Sequence, residues 1–281
     1  MKYVLYNPYS GNGDSKLRAE SLIGGGASLV DMTDIGSYAE FFGSLGSSDR
    51  VVICGGDGTL NRFVNDTVGV DIECELLYMP TGTGNDFAAD IEKGAATEPF
   101  ALDEYVRKLP TVTVDGKDYR FINGVGYGID GYCCEIGDKM KADGKQPNYT
   151  SIAISGLLFH YKPTDATVTV DGKEYRFKKV WIAPTMYGRH YGGGMIPTPE
   201  QKRGTDELSV MIFHGSGKLK TLMIFPSIFK GEHIKKEKNV TVLTGKEISV
   251  RFDEPRPLQI DGETHLGVRE YTAKAPAYVN V

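Results

Sequence analysis

The sequence predicts an α/β domain followed by a β domain, and three observations carry that reading. Up to residue 110, short apolar runs alternate with segments whose apolar residues recur at helical spacing, the pattern of a parallel, doubly wound sheet. After "RKLP" at 107–110 the texture turns to residue-by-residue alternation broken by Asp-Gly pairs. Three strand-to-helix junctions in the first part are rich in Gly, Ser, Thr and Asn, and they open where ligands bind in open α/β sheets. A chain of 281 residues exceeds what one small core needs and fits two modest domains.

Taken in order, "KYVLY" at 2–6, "ASLVD" at 27–31, "DRVVIC" at 49–54 and "CELLYM" at 74–79 read as strands. Helices are expected over "SKLRAES", 37–46, 60–68 and near "FAADI". Thr59 is the expected N-cap of the helix after the third strand. In the second part, "TVTVDGKDYRF" at 111–121 and "TVTVDGKEYRF" at 167–177 are near-copies. Each reads as a β-hairpin, because Asp-Gly accepts the positive φ of a type I′ turn.

Composition excludes several classes. With 40% apolar and 25% charged residues the chain is that of a folded protein, and no run approaches the roughly 20 apolar residues of a spanning helix. The start "MKYVLYNPYSG" has no long apolar stretch before a small-residue cleavage site, so a cytoplasmic protein is expected. Cys54, Cys74, Cys133 and Cys134 form no C-x-x-C pair, and the five histidines lack ligand spacing, which fits reduced thiols rather than a zinc site. A net charge of -5 argues against nucleic acid as a partner.

The three junctions are "NPYSGNG" at 7–13, "CGGDGTLN" at 54–61 and "PTGTGND" at 80–86. Glycines and helix N-termini suit phosphate, yet none is a Walker A loop or a dinucleotide fingerprint. Asp57 sits among three of those glycines. Beside a polyphosphate it needs a bridging cation or water, which Mg²⁺ supplies in phosphoryl transfer. It serves equally as an acceptor of backbone N–H bonds in a tight turn, and spacing leaves both readings open.

These loops, with "FINGVGYGID" at 121–130, "YGGGMIPTP" at 191–199 and "IDGE" at 260–263, form an ordered set covering nearly the whole chain. The set resembles the diacylglycerol kinase catalytic-domain superfamily, in particular its small soluble bacterial lipid kinases. The resemblance implies a Rossmann-like nucleotide domain over 1–110, a β-sandwich lipid domain over 111–270 and an active site in the cleft between them. Residues 271–281 are read as a segment returning to the first domain. The implied reaction moves the γ-phosphoryl group of ATP to a lipid hydroxyl with Mg²⁺.

By the same resemblance Asn7, Ser10 and Gly11 match the first nucleotide loop. Gly55, Gly56, Asp57, Gly58, Thr59 and Asn61 match the central one, Thr83, Asn85 and Asp86 the third, and Thr33 a further nucleotide contact. Glu263 matches the proton acceptor, with Asp261 in support, and a positioned carboxylate suits a lipid hydroxyl that must lose its proton. "IDGE" also reads as a third Asp-Gly hairpin turn. Its sequence on either side, "EPRPLQ" and "THLG", departs from the two near-copies.

Asp57 and Asp206 are the metal-ligand candidates. The chain departs from the family at three points: Asn12 stands where a lysine is frequent, Arg62 where glutamate is common, and "QKRGTDELSVMIF" holds only Asp206 where many relatives carry an Asp-Asp-Gly metal turn. Two alternatives to a lipid kinase stay open, a non-catalytic nucleotide- or lipid-binding relative and an NAD kinase. Residues 214–240 hold six Lys against Glu232 and Glu237 around apolar runs, which reads either as an anionic-membrane contact or as a core-packed helix with a basic end. "SIAISGLLFHY" at 151–161 likewise reads as an acyl-chain pocket or as domain core. The expected partner is a lipid alcohol at a membrane the protein visits transiently, and a homodimer is left open.

Overall fold

The third apolar run becomes the centre of the first sheet because it is apolar on both faces. In a computed structural model, residues 2–276 are described apart from 11–13, 25 and 83. The chain divides into two units, Met1–Leu109 and Pro110–Val281.

The first unit runs β1 (Lys2–Tyr6), α1 (Asp14–Ser21), β2 (Ser28–Asp31), a 3-10 turn at Met32–Asp34, α2 (Tyr38–Gly43), β3 (Arg50–Gly55), α3 (Asp57–Asp66), β4 (Glu75–Pro80), α4 (Asp86–Asp90), β5 (Phe100–Ala101) and α5 (Asp103–Val106). Its sheet has the order β2-β1-β3-β4-β5, parallel except for β5. Residues 51–55 of β3 are all buried, as expected of a strand covered on both faces. Strand alternation sends Val4, Tyr6, Val52 and Cys54 to one face, against Ala19 of α1. Leu60, Phe63 and Val64 follow at helical spacing on α3 and are also buried. The helix begins two residues before the expected Thr59 cap: Gly56 is the N-cap and Thr59 lies inside the first turn.

The second unit runs β6 (Thr111–Val114), β7 (Lys117–Arg120), β8 (Gly124–Tyr127), α6 (Ile129–Ala142), α7 (Tyr149–Ser155), a π turn at Gly156–His160, β9 (Thr164–Val170), β10 (Lys173–Val180), β11 (Thr185–Met186), β12 (Leu208–Phe213), α8 (Lys218–Ile224), 3-10 turns at Phe225–Lys230 and Glu232–Lys235, β13 (Val240–Gly245), β14 (Glu247–Ile260) and β15 (Glu263–Lys274). The strands form one ten-stranded sheet. β14 is its hub: β15 takes one edge, while β9 and then β8 share the other. Residues 271–274, expected to lead back to the first domain, belong to β15 and pair with β6; residues 277–281 lie outside the described part.

All three Asp-Gly pairs are hairpin turns of one design. Both residues have positive φ at Asp115 and Gly116, at Asp171 and Gly172, and at Asp261 and Gly262, the signature of a type I′ turn. "IDGE" is therefore a third hairpin turn, whatever else it does. On the helical side a core gathers Trp181, Leu157, Tyr161, Phe213, Ile224 and Ile228. The Trp181 indole N–H is satisfied by the Ser216 carbonyl at 3.0 Å. All four cysteines are free thiols, and burial pushes Cys54 and Cys133 up to about 12. No helix among the described residues is long and apolar enough to cross a membrane.

Candidate active site

The strand order 2-1-3-4 reverses direction between β1 and β3, so the loops that leave these strands flank the switch point where open α/β sheets bind ligands. Those loops are the first and central Gly-rich junctions, and they are braced together. Ser10 Oγ accepts the Gly56 N–H at 3.2 Å, and the Asn7 side-chain amide donates to Thr59 Oγ1 at 3.3 Å. Asp57 braces the third loop. Its two oxygens accept the N–H groups of Asp86 and Phe87, each at 2.9 Å, at the start of α4.

Gly56 and Gly82 meet backbone to backbone. A Cβ on Gly82 would fall 2.6 Å from Gly56 Cα and 2.9 Å from Asn85 Oδ1. Gly82→Ala is therefore expected to force the central and third loops apart. The cost is about 1–3 kcal/mol, read as a lower melting temperature. A melting curve equal to that of wild type would show that the loops need not touch.

A cavity of about 340 Å³ opens beside these loops, lined by Asn7, Thr33 and Thr59 together with Met32, Ile35, Tyr38, Arg62 and Asp66. Three of the expected residues meet there. Thr33 is fixed by Asp31, which accepts both its N–H at 2.9 Å and its hydroxyl at 2.7 Å. Tyr38, Arg62 and Asp66 were not anticipated, although Thr59, Arg62 and Asp66 stand three and four residues apart on α3, a spacing that marks one helix face. Burial, reinforced by Asp66, pushes the Tyr38 hydroxyl up to about 12, and burial raises the Asp66 carboxyl. Asn61 does not line this cavity. It is buried on α3, where its carbonyl accepts from Asn65.

Gly55 is buried at the end of β3, its carbonyl taking the Tyr78 hydroxyl and the Thr81 N–H, each at 2.9 Å. Gly58 has open space around it, and nothing in the structure explains its lack of a side chain. Asn85 is left-handed at φ 50° and caps α4. Its Oδ1 and the neighbouring Thr81 Oγ1 are buried without a hydrogen-bond partner. Buried polar atoms are nearly always satisfied, so these two fit a loop whose remaining partner is a ligand. Gly11 and Thr83 lie outside the described residues.

In the second unit Asp261 organises a loop. Its carboxylate accepts the N–H groups of Ile122 at 2.5 Å, Asn123 at 2.8 Å and Gly124 at 2.9 Å. Arg203 holds the same loop through the Ile122 carbonyl and Asn123 Oδ1, with its guanidinium 5.2 Å from the centre of the Tyr187 ring. Behind the turn, Gln259 donates to Asp130 Oδ2 at 2.8 Å and accepts the Gly262 N–H at 2.5 Å. Asp130 and Gln259 are both buried. Gly126 lies against this pair, and a Cβ there would collide with the Asp130 carboxylate. Glu263, the first residue of β15, is exposed on the platform so built. Asp261 is thus a positioning residue, its oxygens committed to backbone amides.

The metal candidates fare differently from the loops. Among the described residues no three His, Cys, Asp or Glu side chains gather as a metal site. Asp57 is engaged by two amides, as given above. Asp206 is ion-paired to Lys246 at 2.5 Å, and that lysine holds its carboxyl below the usual carboxylate range. An ammonium already neutralises Asp206, so the residues present do not fit a resident Mg²⁺ there.

Comparison with known proteins bears on the family and the fold. The family profile described as "Diacylglycerol kinase catalytic domain" matches residues 2–114, and "YegS C-terminal NAD kinase beta sandwich-like domain" matches 123–281. A diacylglycerol kinase of Mycobacterium tuberculosis is 27% identical over 197 residues, 67% of this chain, which spans 62% of that protein's length. A diacylglycerol kinase of Bacillus subtilis is 25% identical over 276 residues, covering 92% of this chain and 88% of the relative. A crystal structure of a diacylglycerol kinase from Bacillus anthracis has the same fold, with a TM-score of 0.62 at 17% identity over 98% of this chain and 94% of that one. With its loops at the switch point and both profiles matched in sequence order, the chain belongs to the family that joins a diacylglycerol kinase catalytic domain to this β-sandwich-like domain.

Proposed function

We propose that this protein transfers the γ-phosphoryl group of ATP to the hydroxyl of diacylglycerol or a related lipid alcohol. The observation that carries the reading is the braced trio of loops at the switch point: Asn7 and Thr59 of two of them line a cavity of about 340 Å³, and the third holds two unspent buried polar atoms. In this reading Asn7, Thr33 and Thr59 contact the nucleotide, and the backbone around Gly56 and Gly82 lies close enough for phosphate to approach N–H groups. Asp206 is committed to Lys246, so any Mg²⁺ would be held by the nucleotide's own phosphates, whose charge it would offset. As the acceptor oxygen bonds to the γ-phosphorus, the bond from phosphorus to the β-phosphate oxygen breaks and ADP leaves. The hydroxyl proton passes to Glu263. Asp261, Arg203 and the Asp130–Gln259 pair keep the Glu263 turn from moving, which favours a fixed geometry at the reacting oxygen.

The test is transfer of labelled γ-phosphate, with Mg²⁺, to a panel of lipid alcohols in mixed micelles, with NAD as a competing acceptor. A labelled lipid is the expected product. Label in NAD alone, or bound ATP with no transfer to any acceptor, would overturn the reading.

A further inference from the structure

The helical side of the second unit carries a surface that its core does not explain. Phe159 on the π turn and Leu219 and Met223 on α8 are 74%, 73% and 75% exposed. They stand on elements that touch. The π turn packs against α8, and the Lys218 ammonium caps the Leu158 carbonyl at 2.7 Å. Leu219 and Met223 are four residues apart and so share one helix face, while the same helix buries Thr221 and Ile224. On the neighbouring element the buried positions run Ile152, Ala153, Gly156 and Leu157. After the wide π turn they resume at Tyr161, which leaves Phe159 and His160 to solvent. One face of each segment is thus core, as the packed reading expected, and the other is bare.

The charges around that bare face point to its occupant. Residues 149–162 and 214–230 contain Lys162, Lys218, Lys220 and Lys230 and no Asp or Glu, in a chain that holds 37 acidic residues and a net charge of -5. Lys220, next to Leu219 on α8, and Lys230, at the end of the turn that continues α8, are both exposed. A scattered exposed Leu means little. Three large apolar side chains on packed elements, on two segments that carry four lysines and no Asp or Glu of their own, have the composition of an interfacial membrane anchor, where lysine heads stay at the phosphates while apolar groups enter the acyl boundary.

We propose that Phe159, Leu219 and Met223, with Lys220 and Lys230, form a docking surface for an anionic bilayer. This deepens the lipid-kinase reading, since it says how the enzyme meets an acceptor that does not leave the membrane. The test is co-sedimentation, without nucleotide, with vesicles of phosphatidylcholine alone or mixed with phosphatidylglycerol. Wild type is expected to bind the mixed vesicles and to lose binding as salt rises. Leu219→Asp with Met223→Asp is expected to weaken binding by roughly tenfold or more, and Lys220→Glu with Lys230→Glu to abolish the preference for anionic vesicles. Both pairs should melt like wild type, because all four side chains are exposed.

Unchanged vesicle binding by the Asp pair overturns the surface. So does a wild-type dimer in sedimentation equilibrium that the Asp pair converts to monomer, since the face then covers a second copy of the chain. Binding is read without turnover, which keeps the two readings separable. Vesicle binding without phosphate transfer would count against the kinase alone, and transfer to a water-dispersed short-chain acceptor with unchanged vesicle binding in the Asp pair would count against the docking surface alone.

Discussion

Glu263→Gln is expected to lower phosphate transfer by roughly 10² to 10⁴-fold, the range for removing a positioned proton acceptor, with little change in melting temperature. The side chain is exposed at the first position of β15, so glutamine removes a charge and an acceptor without emptying any packed space. The backbone is untouched as well, because the residue pairs with Ile260 across the turn through main-chain bonds. The affinity for ATP is expected to stay within about twofold, since no nucleotide contact is assigned to Glu263 and an unaltered contact leaves binding energy unaltered. A variant that retains more than about a tenth of wild-type transfer would remove Glu263 from the role of base and return the turn to a purely structural one.

Asp261→Asn is expected to act first on stability. Asparagine keeps the left-handed preference of the turn, so backbone strain is not the variable. The change replaces one of the two acceptor oxygens by an NH₂ group facing the amides of 122–124, a stretch that is itself buried. A buried donor left unmatched, together with loss of a charged acceptor, costs about 2–4 kcal/mol, or on the order of 10 °C in the melting of the second unit. Asp115→Asn is the built-in comparison, with the same turn design on the exposed β6–β7 hairpin, and is expected to melt within about 2 °C of wild type. If the two variants melt alike, the Asp261 carboxylate is not what holds the loop.

The parts of this protein that local chemistry dictates were legible in its sequence. The run "RVVIC" followed by glycines could hardly be anything but a buried strand entering a tight junction, and the Asp-Gly pairs announced their turns. What depended on partners far along the chain was not legible. Asp57 takes its amides from residues 29 and 30 positions later, and no spacing rule contains that pairing. Asp261 looked like half of an acidic pair, yet its partners lie 137 to 139 residues earlier. The expected Thr59 cap failed for a related reason. Its hydroxyl is occupied by Asn7 from another loop, and the helix starts at Asp57 after an N-cap at Gly56, where a Cβ would press on Gly82 of the third junction at 3.0 Å. Lys246, the partner of Asp206, lies forty residues away, so a turn that looked like a weakened metal site is an ion pair.

The hub position of β14 has a consequence for the order in which the molecule can be made. The first sheet has all its strands once the chain has reached Ala101, so the first unit can settle while the rest is still being translated, as domains of growing chains commonly do. The second sheet has no such early closure. β8 and β9 wait for the same late strand, and that strand is lined on its other edge only when β15 is complete at Lys274. The platform under Glu263 is therefore among the last parts of the second unit to assemble. Until β14 is made, β8 and β9 each lack the neighbour that joins them into one sheet.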